Sequence, residues 1–164
     1  MWKLLRKIFR TGILTEKKDG PRSPTSPPGF EKSLAIRHVD AGSCNGCELE
    51  LTALENPYYA LSARGVKFVP SPRHADVLLV TGPVTLAMKE ALLRSHDAVP
   101  CPKKVLAVGD CALNGGIFRD SYAVLGGVDS VVPVDLHLPG CPPSPDDLLE
   151  ALERIFRSPL HAPE

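Results

Sequence analysis

The sequence predicts an α/β fold, an open, flavodoxin-like parallel sheet with helices on both faces, and two features of its 164 residues carry that expectation. Short continuous apolar runs, Asp76 to Val80 and Lys104 to Val108 being the clearest, fit strands buried on both faces. These runs alternate with segments of helical character, and alternating strands and helices wind into a parallel sheet.

The elements follow in order. Residues 2–14 place Trp2, Leu4, Leu5, Ile8 and Phe9 near helical spacing with Lys3, Arg6, Lys7 and Arg10 between them, a basic amphipathic helix suited to a membrane surface, a membrane-embedded partner or its own domain. Residues 20–29 hold six of the Pro and Gly residues that bar helix and central strand, and read as an extended linker. Residues 1–32 are therefore expected to form an arm and linker, residues 33–158 the globular domain and residues 159–164 a tail. Within the domain, residues 34–39 predict a first strand, 48–55 a helix, 66–69 a second strand, 76–80 a third, 85–95 a helix, 104–108 a fourth strand and 131–134 a fifth. A last helix starts at Ser144 or Pro145, with acids in its first turn, and runs to about Arg157.

Composition narrows the function. Nineteen basic and nineteen acidic residues cancel, so no global basic field points to nucleic acid. The balance is uneven, since residues 1–22 carry an excess of five positive charges. No apolar run approaches the ~20 residues that cross a bilayer, and the start lacks the gathered apolar region of a secretory signal. A location on the cytoplasmic side is expected. Five cysteines, an odd number in such a chain, argue for metal or redox chemistry over a disulfide framework.

Cys44 and Cys47 flank Asn45 and Gly46 in a turn leading into the first helix. In a wound sheet, ligands bind beyond the carboxyl ends of the strands. Cys44 and Cys47 follow the first strand, Cys111 the fourth and Cys141 the fifth, whereas Cys101 precedes its strand and belongs at the opposite edge. Gly or Pro stands close to each of the four, which lets the backbone approach a bulky group and stiffens the turns. Four converging thiolates suit a 4Fe–4S cluster or tetrahedral zinc. With one local pair and two ligands standing alone, 64 and 30 residues further on, the spacing favours the cluster. A thioredoxin-like Cys44/Cys47 dithiol is the third reading.

The segment from Asp40 to Glu50, with Thr81-Gly82-Pro83-Val84, Gly109-Asp110-Cys111-Ala112 and Pro139-Gly140-Cys141-Pro142-Pro143, resembles the small electron-transfer subunit of membrane-bound, energy-converting NiFe hydrogenases, a family homologous to the complex I B subunit. The resemblance covers residues 1–157. It implies that Cys44, Cys47, Cys111 and Cys141 bind one 4Fe–4S cluster proximal to a catalytic large subunit. It also implies a NiFe-type large subunit and a ferredoxin-like iron–sulfur subunit as partners, with membrane-arm subunits contacted through residues 2–14. The complex I branch typically has adjacent cysteines where this chain has Cys44-Asn45-Gly46-Cys47, so the hydrogenase branch fits better. The twin-arginine signal and the further clusters of periplasmic uptake hydrogenases are not expected here. Alternatives are a complex I-like subunit serving quinone or another acceptor, and a zinc-stabilised interaction module.

Glu50, three residues after Cys47, is a candidate for proton movement, or else a first-turn acid favoured by the helix dipole. Asp110 either sets the cluster potential or caps a turn. His38 and His137 lie near the cysteine loops in sequence. Cys101 reads as a structural or free thiol, and the Gly115-Gly116 and Gly126-Gly127 pairs match no phosphate loop.

Overall fold

The structure is a computed structural model and describes residues 33–157. The helix expected over residues 2–14 and the linker lie outside those residues. Five parallel strands, β1 (Leu34–Asp40), β2 (Val66–Phe68), β3 (Val77–Thr81), β5 (Lys104–Val108) and β7 (Leu136–Leu138), form one sheet in the order β2-β1-β3-β5-β7. This is the flavodoxin-like winding expected from the alternating pattern. All residues of β3 and β5 are buried, as their unbroken apolar runs require.

Helices cover both faces. On one, α1 (Gly46–Ala53) and α4 (Pro145–Arg157) bring Leu51, Leu148 and Leu152 against Ile36, Leu79 and Leu106 of the sheet. On the other, α2 (Lys89–Ala98) and the short α3 (Asp110–Asn114) bring Leu92 and Ala112 against Val39, Leu78 and Ala107. Alternate residues of the central strands thus serve two separate cores.

Two expectations change. The apolar stretch Val131 to Val134 is not a strand. A tight turn over Val128–Ser130 sends the Val131 and Val132 amides to the Val128 carbonyl, and Pro133 has no amide to offer a ladder. Val132 is buried in the second core, so its apolar character reflects packing, while pairing begins only at Leu136. The second helix starts at Lys89 rather than near residue 85, because β4 (Val84–Thr85) pairs antiparallel with β6 (Val124–Gly126) in a small second sheet. Both of those strands are too short to show an alternating pattern.

Candidate metal centre

Register places the ends of four strands in one row. Asp40 pairs with Thr81, Thr81 with Val108, and Val108 with Leu138. The chain therefore leaves β1, β5 and β7 at neighbouring points, and each exit loop carries cysteine. After β1, Asp40 Oδ1 accepts the Gly42 and Ser43 amides at 2.8 and 2.6 Å, a turn that Asp side chains favour. Asn45 then takes a left-handed conformation, φ 74°, which Asn tolerates better than most residues, and starts α1 directly behind it. Cys44 stays exposed on the loop while Cys47 is buried in the first turn of the helix.

The other two loops are tied to each other. The Gly109 amide donates to the Leu138 carbonyl at 2.7 Å, and the Asp110 amide to the Gly140 carbonyl at 2.9 Å. In return the Gly140 amide donates to Asp110 Oδ1 at 2.8 Å. Asp110 thus fixes the spacing between Cys111 at the start of α3 and Cys141 beyond β7.

Cys44, Cys47, Cys111 and Cys141 all line one cavity of about 90 Å³, together with Ser43, Asp110 and several glycines. Two glycines behind the sulfurs leave them room. A Cβ on Gly109 would lie 2.7 Å from Cys47 Sγ, and one on Gly116 2.7 Å from Cys111 Sγ. Among the described residues, the thiols surround the cavity without three metal-binding side chains gathering within reach of a single ion.

Burial first, then the negative charge of Glu48 and of the other three cysteines, pushes the Cys47 thiol up to about 12. Cys111 is raised too, by burial and then by Cys141 and Cys44, against a lowering hydrogen bond from the Ile117 backbone. Among the described residues no Lys or Arg lines the cavity. Four thiolates held together here would need positive charge to neutralise them, which a bound metal ion or an inorganic cluster would supply.

The remaining candidates are placed as follows. Cys101 is exposed in the loop before β5, at the other end of the sheet, and does not line the cavity. Glu50 is partly exposed on α1 and lines neither the cysteine cavity nor the groove beside it. His137 sits on β7 and faces α4 rather than the cavity, with Nδ1 buried and unpartnered. His38 does take part in a polar network, bonding Thr81 Oγ1 at 2.8 Å. That network centres on Glu48, which the sequence reading passed over in favour of Glu50. Its signals were an acid adjoining a cysteine in a first turn and a Thr ending the apolar run of β3.

Residues 44–155 match the family model described as "NADH ubiquinone oxidoreductase, 20 Kd subunit", and the chain belongs to that family of oxidoreductase subunits, for which iron–sulfur binding is characteristic. Among its relatives, "Formate hydrogenlyase subunit 7" of Escherichia coli (strain K12) is 50% identical over 116 residues, covering 71% of this chain and 46% of that protein. The chain thus spans less than half the length of that relative. "Probable membrane-bound hydrogenase subunit mbhJ" of Pyrococcus furiosus is 45% identical over 130 residues, 77% of this chain and 78% of that protein. Among solved structures, a chain of the membrane-bound sulfane sulfur reductase, an archaeal respiratory membrane complex, matches with TM-score 0.67 and 35% identity, covering 76% of this chain and 69% of that one. Among the described residues no helix is long and apolar enough to cross a membrane.

Proposed function

We propose that this chain is the electron-transfer subunit of a membrane-associated NiFe hydrogenase, holding one 4Fe–4S cluster through Cys44, Cys47, Cys111 and Cys141. The observation that carries the reading is the convergence of those four thiols, from three separate exit loops, on one cavity that no Lys or Arg among the described residues lines. When bound, such a cluster supplies one-electron transfer at a potential set by charge, burial and hydrogen bonds to sulfur. The chain's own residues prepare the place. Gly109 and Gly116 leave room at the sulfurs, Asp40 shapes the Cys44 turn and Asp110 spaces Cys111 from Cys141.

Electrons pass between a ferredoxin-like subunit and a NiFe-type large subunit, where proton reduction or hydrogen oxidation takes place. Leu49 on α1 and Ile117 beside Cys111, 63% and 83% exposed, offer apolar contacts on elements that flank the cysteines. Glu50, on the same helix as Leu49, is the candidate for proton movement at that boundary. Residues 33–158 form the iron–sulfur domain, and the basic residues 2–14 contact the membrane arm from the cytoplasmic side. A second reading is supported by the family description and by the likeness to a sulfane sulfur reductase: the same domain serving a large subunit without nickel, acting on quinone or another acceptor. Two C-x-x-C pairs in the large partner's sequence would select hydrogenase.

The test is anaerobic purification of the full chain with iron and zinc analysis. About four irons per chain and an EPR signal on reduction are expected, with the iron largely lost in Cys111→Ser and Cys141→Ser. One tightly held zinc and no iron would overturn the proposal.

A further inference from the structure

Glu48 follows Cys47 in the first turn of α1, with its side chain 16% exposed. A first-turn acid needs no special explanation, since the helix dipole favours negative charge there. The dipole does not explain the company this carboxylate keeps. Its Oε2 accepts the Ser43 hydroxyl at 2.7 Å, and its Oε1 accepts the hydroxyl of Thr81, a residue with no exposed surface. Thr81 Oγ1 in turn lies 2.8 Å from His38 Nε2. The single hydroxyl proton of Thr81 goes to Glu48, so His38 Nε2 donates. Two donor chains from three elements end on one carboxylate, the pattern that holds a charged acceptor.

We propose that Glu48 is a positioning residue that fixes the Cys44–Cys47 turn and lowers the reduction potential of the cluster held there. The inference rests on the cluster reading given above. Ser43 immediately precedes Cys44 and Glu48 immediately follows Cys47, so their hydrogen bond closes the two ends of the C-x-x-C segment. Thr81, at the end of β3, anchors that closed turn to the sheet.

The electrostatic part follows from the same placement. A fixed anion beside a cluster opposes the arrival of an electron, and weak screening in a partly buried site strengthens that opposition. Among the described residues no Lys or Arg forms an ion pair with Glu48. Burial lowers the pKa of His38 and so disfavours its charged form, against the opposing pull of Glu48 and Asp40. Arg37, which shares the groove with Glu48, gives its guanidinium to the Pro70 carbonyl at 2.8 Å.

The experiment is an EPR-monitored redox titration of the full chain with its reconstituted cluster, as wild type, Glu48→Gln, Glu48→Asp and Ser43→Ala. Glu48→Gln keeps the size and one acceptor but removes the charge, so its midpoint should move to a more positive value. Glu48→Asp restores the charge and should bring the midpoint back toward wild type. Ser43→Ala keeps the charge and opens the turn, so iron should leave faster on chelator challenge with the midpoint little changed. A wild-type midpoint in Glu48→Gln overturns the proposal. Should Glu48→Gln hold no cluster, Glu48→Asp decides: restored iron with a near-wild-type midpoint supports the role, and absent iron overturns it. Failure of the cluster reading itself would show earlier and differently, as wild-type protein without iron.

Discussion

The two ends of the sheet use the same device for different ends. At the amino end, Asp76 Oδ2 accepts the Ala35 amide at 2.8 Å, and Asp135 Oδ2 accepts the Val105 amide at 2.7 Å. At the carboxyl end, Asp40 and Asp110 accept amides of the cysteine loops, and Glu48 accepts two hydroxyls. In both places a carboxylate stitches one strand end to the next. The difference is compensation. The amino end includes Lys104, 6% exposed, whose Nζ lies 3.0 Å from Asp135 Oδ1, while no Lys or Arg among the described residues lines the cysteine cavity. One end is electrically closed. The other is left negative around four thiols, a surplus that suits a cationic inorganic group and leaves the domain locally frustrated without it.

The largest expected effect comes from filling the open end. Gly109 has φ +90°, and an added Cβ would sit 2.7 Å from Cys47 Sγ. Gly109→Ala should therefore cost about 1–3 kcal/mol in backbone strain, since φ 90° with ψ 158° is essentially reserved for glycine, and should also displace Cys47. Gly126 provides the control, because its φ is +117° yet nothing lies within 4 Å of an added Cβ. Both variants should melt a few degrees below wild type, and Gly109→Ala alone should lose most of its iron on anaerobic reconstitution. Equal iron content in the two would show that the cavity tolerates crowding at Cys47, and the contrast between the ends would weaken.

How much of this contrast could be read from the sequence depends on the range of the interactions. The buried strands β3 and β5 were legible because four consecutive apolar residues leave little alternative, and the last helix because Ser144, Pro145 and the acids at 146 and 147 mark its start. The cysteine loops were legible through topology, since parallel winding sends every strand exit to one edge. Val131 to Val134 misled because burial in a loop and burial in a strand produce the same local composition. The pairing of β4 with β6 was invisible at two and three residues. Glu48 was overlooked for a different reason. Its importance lies in Thr81 and His38, 33 and 10 residues away in sequence, and no local pattern reports such partners. Chemistry carried by cysteine shows in a sequence, whereas the acids that arrange it show only in three dimensions.

A smaller effect is expected from opening the closed end. Lys104→Ala removes the cation facing Asp135 and leaves that carboxylate with only the Val105 amide. Breaking a fully buried pair costs about 3–5 kcal/mol. Asp135 is 35% exposed, so water recovers part of the loss and about 2 kcal/mol is the expected figure. Denaturant unfolding measures it. The iron content should stay at the wild-type level, because the ion pair lies at the opposite end of strands β5 and β7 from Cys111 and Cys141. Loss of iron with only a minor loss of stability would mean that the two ends are coupled through the sheet.

The smallest effect is expected at Cys101, and it bears most directly on the comparison. This residue has the same thiol as the other four and stands between two prolines, a setting that a reading based on composition alone would rank with theirs. It differs in position, being exposed in the loop that enters β5, whereas Cys111 lies in the helix that follows that strand. A parallel strand of five residues separates its two ends by about 17 Å, too far for both thiols to reach one cluster. Cys101→Ser should therefore leave iron content, EPR line shape and midpoint potential unchanged, and should alter only the count of thiols that alkylate in the holoprotein. A change in the EPR line shape would place Cys101 within reach of the cluster, and the separation of a structural from a chemical end would fail at its simplest point.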